Sequence, residues 1–185
     1  MRASALAAQL RQAIPIGDEP ACEFPVLAIE EVFAGKIRAM IDRKHPRDLY
    51  DLYRLGKGRL IYDSDSIRKL AVLFCSTLNR DLRIYNMSRF ADIDEEAIKR
   101  LLYPLLKAGD RPTVAEMFAV AKPILEGVLD HGREVNFLEA MAAGKYQPEL
   151  LFPKDATIVN RIRNHPALLW KAESVRQYLS RQKLS

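Results

Sequence analysis

The chain has 185 residues, 49% of them hydrophobic and 29% charged, and carries a net charge of +5. A chain of this length buries enough surface to fold around its own core without a disulfide or metal staple, and this composition excludes intrinsic disorder. No apolar run approaches the ~20 residues of a membrane helix. Cys22 and Cys75 are too few for a secreted disulfide framework, so a cytoplasmic protein without a signal peptide is expected.

In chain order, residues 1–14 read as a weakly amphipathic helix ending at Pro15. Residues 15–25, with three prolines and a glycine, read as a loop. Val26-Leu27-Ala28-Ile29 is a short strand or a run into the next helix. The spacing of Phe33, Ile37, Met40 and Ile41 predicts a helix over 30–44 with one apolar face. Glu30 and Glu31 in its first turn and Arg43 and Lys44 in its last suit the helix dipole. Pro46 ends that helix and opens another over 46–55. Leu49, Leu52 and Tyr53 form its apolar stripe, and Gly56 and Gly58 end it.

Ser64 or Ser66 starts a core helix through Ile67, Leu70, Ala71, Phe74 and Leu78, followed by a loop to about residue 91. Asp92 or Asp94 caps a helix to about 107 that buries Ile98, Leu101, Leu102 and Leu105, with a kink or an early end at Pro104. Thr113 and Glu116 have capping-box spacing before a helix to about 130, with a kink expected at Pro123. Phe137, Leu138 and Met141 mark a helix that ends near Gly144. Asp155 caps another, to about 164. Pro166 opens the last, to about 182, with Leu168, Ala172, Val175 and Leu179 as its buried stripe. The fold class is therefore all-α, a helical bundle in a single domain over 1–185. Residues 1–29 supply an N-terminal helix and loop, and 30–182 the helical core.

Charge is uneven along this bundle. Residues 33–59 hold eight Lys/Arg against three Asp, and residues 154–185 hold seven against two acids, so each segment is +5 in a background of −5. Such segments are either phosphate-contacting surfaces or solvated helix faces. The chain has no Gly-Lys-Ser/Thr phosphate loop, Gly-x-Gly-x-x-Gly or Gly-x-Ser-x-Gly. His45, His131 and His165 are too far apart in sequence to suggest a metal pair. Asp63-Ser-Asp65 and Asp92-Ile-Asp94 are paired carboxylates of a kind that can hold Mg²⁺, but each precedes a predicted helix, where an aspartate is a favoured cap. Residues 30–55 are the densest in chemistry. Lys36 and Arg43 share one helical face, Asp48 and Asp51 share a face of the next helix, and the break at Pro46 folds the two together with Arg47. This is either a salt-bridge cluster locking two helices or a site where a lysine neutralises a phosphate beside a carboxylate.

The run Glu30-Glu31, Lys36-Ile37-Arg38-Ala39 and Arg47-Asp48-Leu49-Tyr50-Asp51-Leu52-Tyr53 resembles the AbiEii/AbiGii abortive-infection family, the phage-defence nucleotidyltransferase toxins of type IV toxin–antitoxin systems. The stretch His165-Pro166-Ala167-Leu168-Leu169-Trp170-Lys171 is similar to that family's tail. The resemblance covers 26–55 closely and 133–180 more loosely. It implies the C-terminal helical part of a polymerase-β-like nucleotidyltransferase that uses Mg²⁺ and a nucleoside triphosphate (NTP) and extends an RNA such as tRNA. It implies Lys36 as the triphosphate contact, Asp48 or Asp51 as the late acidic catalytic residue and a cognate antitoxin as partner, while Arg43 and Arg47, folded to the same corner, are the candidate phosphate contacts. The family's first motif, a Gly-Ser followed by paired aspartates, has no counterpart here, because the chain contains no Gly-Ser dipeptide. The expected chain is thus a truncated form without its metal-binding half, inactive alone, with Mg²⁺ and NTP not bound by this chain alone. The missing half predicts exposed apolar surface near residues 1–30, a face open to that half or to a homodimer. The alternative is a non-catalytic helical module for a protein partner or RNA.

Overall fold

A computed structural model describes residues 4–12, 22–58 and 63–182. Among the described residues eight α-helices carry the fold: α1 (Ile29–Arg43), α2 (Pro46–Lys57), α3 (Ser64–Cys75), α4 (Glu95–Leu101), α5 (Val114–Leu129), α6 (Val135–Ala142), α7 (Ala156–Ile162) and α8 (Pro166–Gln182). The all-α reading holds, with one addition at the start of the chain. Strands β1 (Gln9–Gln12) and β2 (Glu23–Val26) pair antiparallel, Gln9 opposite Val26 and Gln12 opposite Glu23.

The helix expected over 1–14 is therefore not present in residues 4–12, and the loop expected over 15–25 gives way to β2 from Glu23. The strand expected near 26–29 is displaced toward the N-terminus, since Val26 ends β2 and Ile29 already begins α1. Helix propensity is a weak preference that tertiary contacts override. Here the contact is Glu31. Its buried carboxylate accepts from Ser4 Oγ at 2.6 Å and from the Ala5 N–H at 2.7 Å, drawing the leading segment onto α1 and burying Ala5. Phe24, Leu27 and Val32 remain exposed, an apolar surface where the sequence placed one.

The core runs from Ala5 to Leu168 and is built on α1, α2, α3 and α5. Helix α1 packs against α3 and α2, and α5 packs against both α2 and α3. Ile37, Met40 and Ile41, then Leu49 and Leu52, then Leu70 and Leu73, then Met117 and Leu125 are wholly buried, which is the periodic stripe of each helix meeting its neighbours. Capping follows the side chains. Asp63, Asp94 and Asp155 accept from backbone N–H groups at the starts of α3, α4 and α7, and Thr113 with Glu116 forms a complete capping box on α5.

Four details refine the pattern. Helix α4 ends at Leu101, and Pro104 sits in a 3₁₀ turn over Tyr103–Leu105, because the ring removes a donor and disfavours the α region for the residue before it. That turn rotates Leu105 into solvent. Pro123 does not end α5. It lies on the exposed side, as does Ala119, whose carbonyl it leaves without an intrahelical donor, so water can satisfy that group. On α8 only Leu168 and Ala172 are buried, Val175 is half-buried, and Leu179 is exposed. The turn after α6 brings Gly144, at φ +71°, against Ala172 and Arg176 of α8.

Gly56 is the fourth. It lies inside α2, which continues to Lys57 and is capped by Gly58. A Cβ there would overlap Val120 Cγ1 of α5. Gly56→Ala should gain about 1 kcal/mol of helix propensity and lose about 1–3 kcal/mol to overpacking. A net loss of stability in urea is expected, reversed by adding Val120→Ala.

Helix α8 follows His165, whose carbonyl accepts from the N–H groups of Leu168 and Leu169. Burial holds its imidazole below the usual histidine range, outweighing a backbone hydrogen bond and the charge of Glu31. Its Nδ1 is buried without a hydrogen-bond partner. A depressed folded-state pKa means the unfolded chain takes up the proton first, so this contribution to stability is present above about pH 6.5 and lost as the pH falls through the folded value. Between about pH 7 and pH 5 the urea midpoint of the wild type should fall further than that of His165→Gln.

Candidate functional site

The corner between α1 and α2 is set by two residues. Lys44 takes a left-handed conformation, φ 53°, as the C-cap of α1, and Pro46 starts α2 with His45 as N-cap. The chain reverses there, so residues separated by the break meet side by side. Lys36 Nζ donates to Asp51 Oδ2 at 2.6 Å, and both side chains keep a third or more of their surface in solvent. Arg43 grips Asp48 with two bonds, Nη2 to Oδ1 at 2.7 Å and Nε to Oδ2 at 3.2 Å.

The two aspartates differ in their surroundings. Asp48 is buried, its side chain 5% exposed, and its carboxylate is occupied by one guanidinium fork. That bond, with the charge of Asp48, raises Arg43 above its ordinary pKa. Asp51 is open on one side and shares a single ammonium. An ammonium has three donors, so Lys36 keeps others for an incoming phosphate oxygen. Arg47 does not join either pair. Its side chain is exposed, and its backbone N–H donates to His45 Nδ1 at 3.2 Å.

Further polar contacts surround this corner. On the next turns of α2, Tyr50 donates to Asp110 Oδ2 at 2.7 Å and Arg54 Nη1 reaches the same oxygen at 3.3 Å. Burial, and then the Asp110 bond, push the Tyr50 phenol above its usual range. Beyond the C-terminus of α1, Arg89 donates to the carbonyls of Ile41 and Asp42 at 3.0 and 2.8 Å, and Lys44 pairs with Asp92 at 2.6 Å. Arg89 and Arg80 lie outside the long helices, where no periodic pattern marks a face, and so carried no signal in the sequence. Asp110 shows no such signal either, since only folding brings it to Tyr50.

The Asp-x-Asp units are structural. Asp63 and Asp94 cap helices, Asp65 pairs with Arg68 and Lys69, and Asp92 pairs with Lys44. Among the described residues no three His, Cys, Asp or Glu side chains gather where an ion could sit. Asp48 and Asp51 each already face a cation. This donor set does not fit Mg²⁺.

The corner between α1 and α2 thus carries one part-exposed lysine–carboxylate pair and one buried arginine–carboxylate pair, with Arg47 exposed beside them. The sequence matches the family described as Nucleotidyl transferase AbiEii toxin, Type IV TA system, over residues 2–122, and the chain belongs to that family. The match takes in the hairpin, the α1–α2 corner and the first half of α5, while the looser likeness over 133–180 lies beyond it. Neither the curated proteins nor the solved structures contain a match to this chain. Among the described residues no helix is long and apolar enough to cross a membrane.

Proposed function

We propose that this chain supplies the helical, phosphate-binding part of a nucleotidyltransferase toxin that moves a nucleotide from an NTP to an RNA acceptor. The observation that carries the reading is the Lys36–Asp51 pair, 2.6 Å long and open to solvent at the corner of α1 and α2. Lys36 contacts the triphosphate, and its charge offsets the negative charge there. Asp51 holds the ammonium in place and is the acidic residue of the site. Asp48 braces the corner through Arg43, which leaves Arg47 as the arginine free to reach a phosphate.

The metal-binding carboxylates come from a separate catalytic half, for which the exposed Phe24, Leu27 and Val32 offer an apolar contact. On this reading the 185-residue chain binds an NTP but adds no nucleotide to RNA by itself. Titration with a fluorescent NTP, with and without Lys36→Ala, tests the binding. Mg²⁺-dependent nucleotide addition by the isolated chain would refute the division into halves.

A second reading, a helical module for a protein partner such as the antitoxin, is favoured by α8. Trp170 is 69% exposed there and Tyr178 61%, both outside the family match. Trp170 is the only tryptophan of the chain, so its fluorescence reports that surface. A blue shift on adding the antitoxin, with no NTP binding, would favour this reading over the first.

A further inference from the structure

A cleft of about 590 Å³ opens between the end of α1 and the segment that follows α3. Its charged lining is Lys44, Arg80 and Arg89 against the single carboxylate of Asp92, with Tyr85 and Asn86 beside them. Arg89 is held rigidly, by the two α1 carbonyls on one edge and by the Tyr85 ring, 4.9 Å from its guanidinium carbon. Fixed in this way it loses little side-chain entropy on meeting an anion. Arg80 is exposed and makes no ion pair among the described residues. The cleft therefore carries two positive charges more than it neutralises, on groups that either cannot move away or have nothing else to bind.

We infer that this cleft is a binding site for the phosphates of a single-stranded RNA, distinct from the Lys36–Asp51 corner. It is open and far larger than one phosphate requires, and three cations line it. Lys44, the left-handed C-cap that ends α1, follows Lys36 by eight residues, about 12 Å at the helical rise. That distance spans about three to four stacked nucleotides at 3.4 Å per strand. A strand lying in the cleft would then reach toward the corner with its end. The inference deepens the proposed function, since it gives the acceptor a place on this chain.

The test is fluorescence anisotropy of a labelled single-stranded 12-nucleotide RNA with the full chain, over a range of salt. Arg80→Glu should weaken binding by about 10-fold and lower the salt slope by about 0.7, the loss of one phosphate contact. Arg100→Glu is the control, an equal charge change at an exposed residue outside the cleft. Equal losses in both variants, no loss in Arg80→Glu, or no RNA binding by the wild type would overturn the inference. So would an Arg80→Glu variant that loses affinity for a labelled NTP while keeping it for RNA, which would make the cleft a nucleotide site. Lys36→Ala separates the two ideas. Its loss of NTP binding supports the corner whatever Arg80 does, and its RNA affinity should stay within a few-fold of the wild type.

Discussion

Lys36→Ala is expected to weaken NTP binding by roughly 10- to 100-fold, because a hydrogen bond to a charged group contributes about 1.5–3 kcal/mol. The same substitution should hardly touch stability. The Lys36–Asp51 pair is part-exposed, and such pairs contribute about 0.2–1 kcal/mol. Asp48→Asn should show the reverse. Its carboxylate is buried under a two-bond contact from Arg43, so about 2 kcal/mol of stability should go while NTP affinity stays near the wild type. Asp51 acts through Lys36, which makes it a positioning residue. Whatever Asp51→Ala does to NTP affinity should therefore disappear in the Lys36→Ala background, a coupling that a double-mutant cycle measures directly. Additive effects would separate the two residues. If Asp48→Asn lost affinity without losing stability, the roles given to the two aspartates would be exchanged.

The largest stability effect is expected at Arg68→Ala. Arg68 on α3 bridges Asp65, at 2.7 Å, and Glu134, the residue that begins α6. The side chains of Arg68 and Glu134 are only 12% and 8% exposed. Burial opposes the charge on Arg68, but the hydrogen bonds from Asp65 and Glu134 outweigh it and hold the guanidinium above its ordinary pKa. Removing the arginine leaves a buried carboxylate with no partner, and breaking a buried pair in this way costs about 3–5 kcal/mol. At about 2–4 °C per kcal/mol for a domain of this size, Tm should drop by roughly 10 °C. The double variant Arg68→Met/Glu134→Leu should recover most of that loss, since an apolar replacement removes both desolvation costs. A single-variant loss below about 1 kcal/mol would mean that water reaches the pair and screens it.

The helices were legible in the sequence because their signals are local. Pro46 defines the α1–α2 break by removing a donor and restricting the residue before it. Thr113 and Glu116 form the capping box that their spacing announces, Asp155 caps as placed, and of the two Asp-x-Asp units Asp63 and Asp94 supply the caps. The pairing of Lys36 and Arg43 with aspartates across that break was also legible, as a consequence of one helix folding back on another. The strand β1 was not, because an alanine-rich stretch carries a helix preference that only the contacts of Ser4 and Ala5 with Glu31, together with β2, override. Gly56 read as a terminator, yet its missing side chain serves the close approach of Val120 from a helix far along the chain.

By itself the sequence determined the order of α1 to α8, the caps of α4, α5 and α7, the apolar stripes of the first three and the family. Each of these follows from spacing within a few turns of chain. Only the tertiary structure decided which carboxylate meets which cation. Asp48 and Asp51 sit three residues apart on one helix, and no local rule distinguishes them. The angle at which α2 returns along α1 buries Asp48 under Arg43 and leaves Asp51 beside Lys36 at the surface. The same return exposes Arg47, and the packing of residues 80–92 against the end of α1 places Arg89 and Arg80 around a cleft that no periodicity foretold.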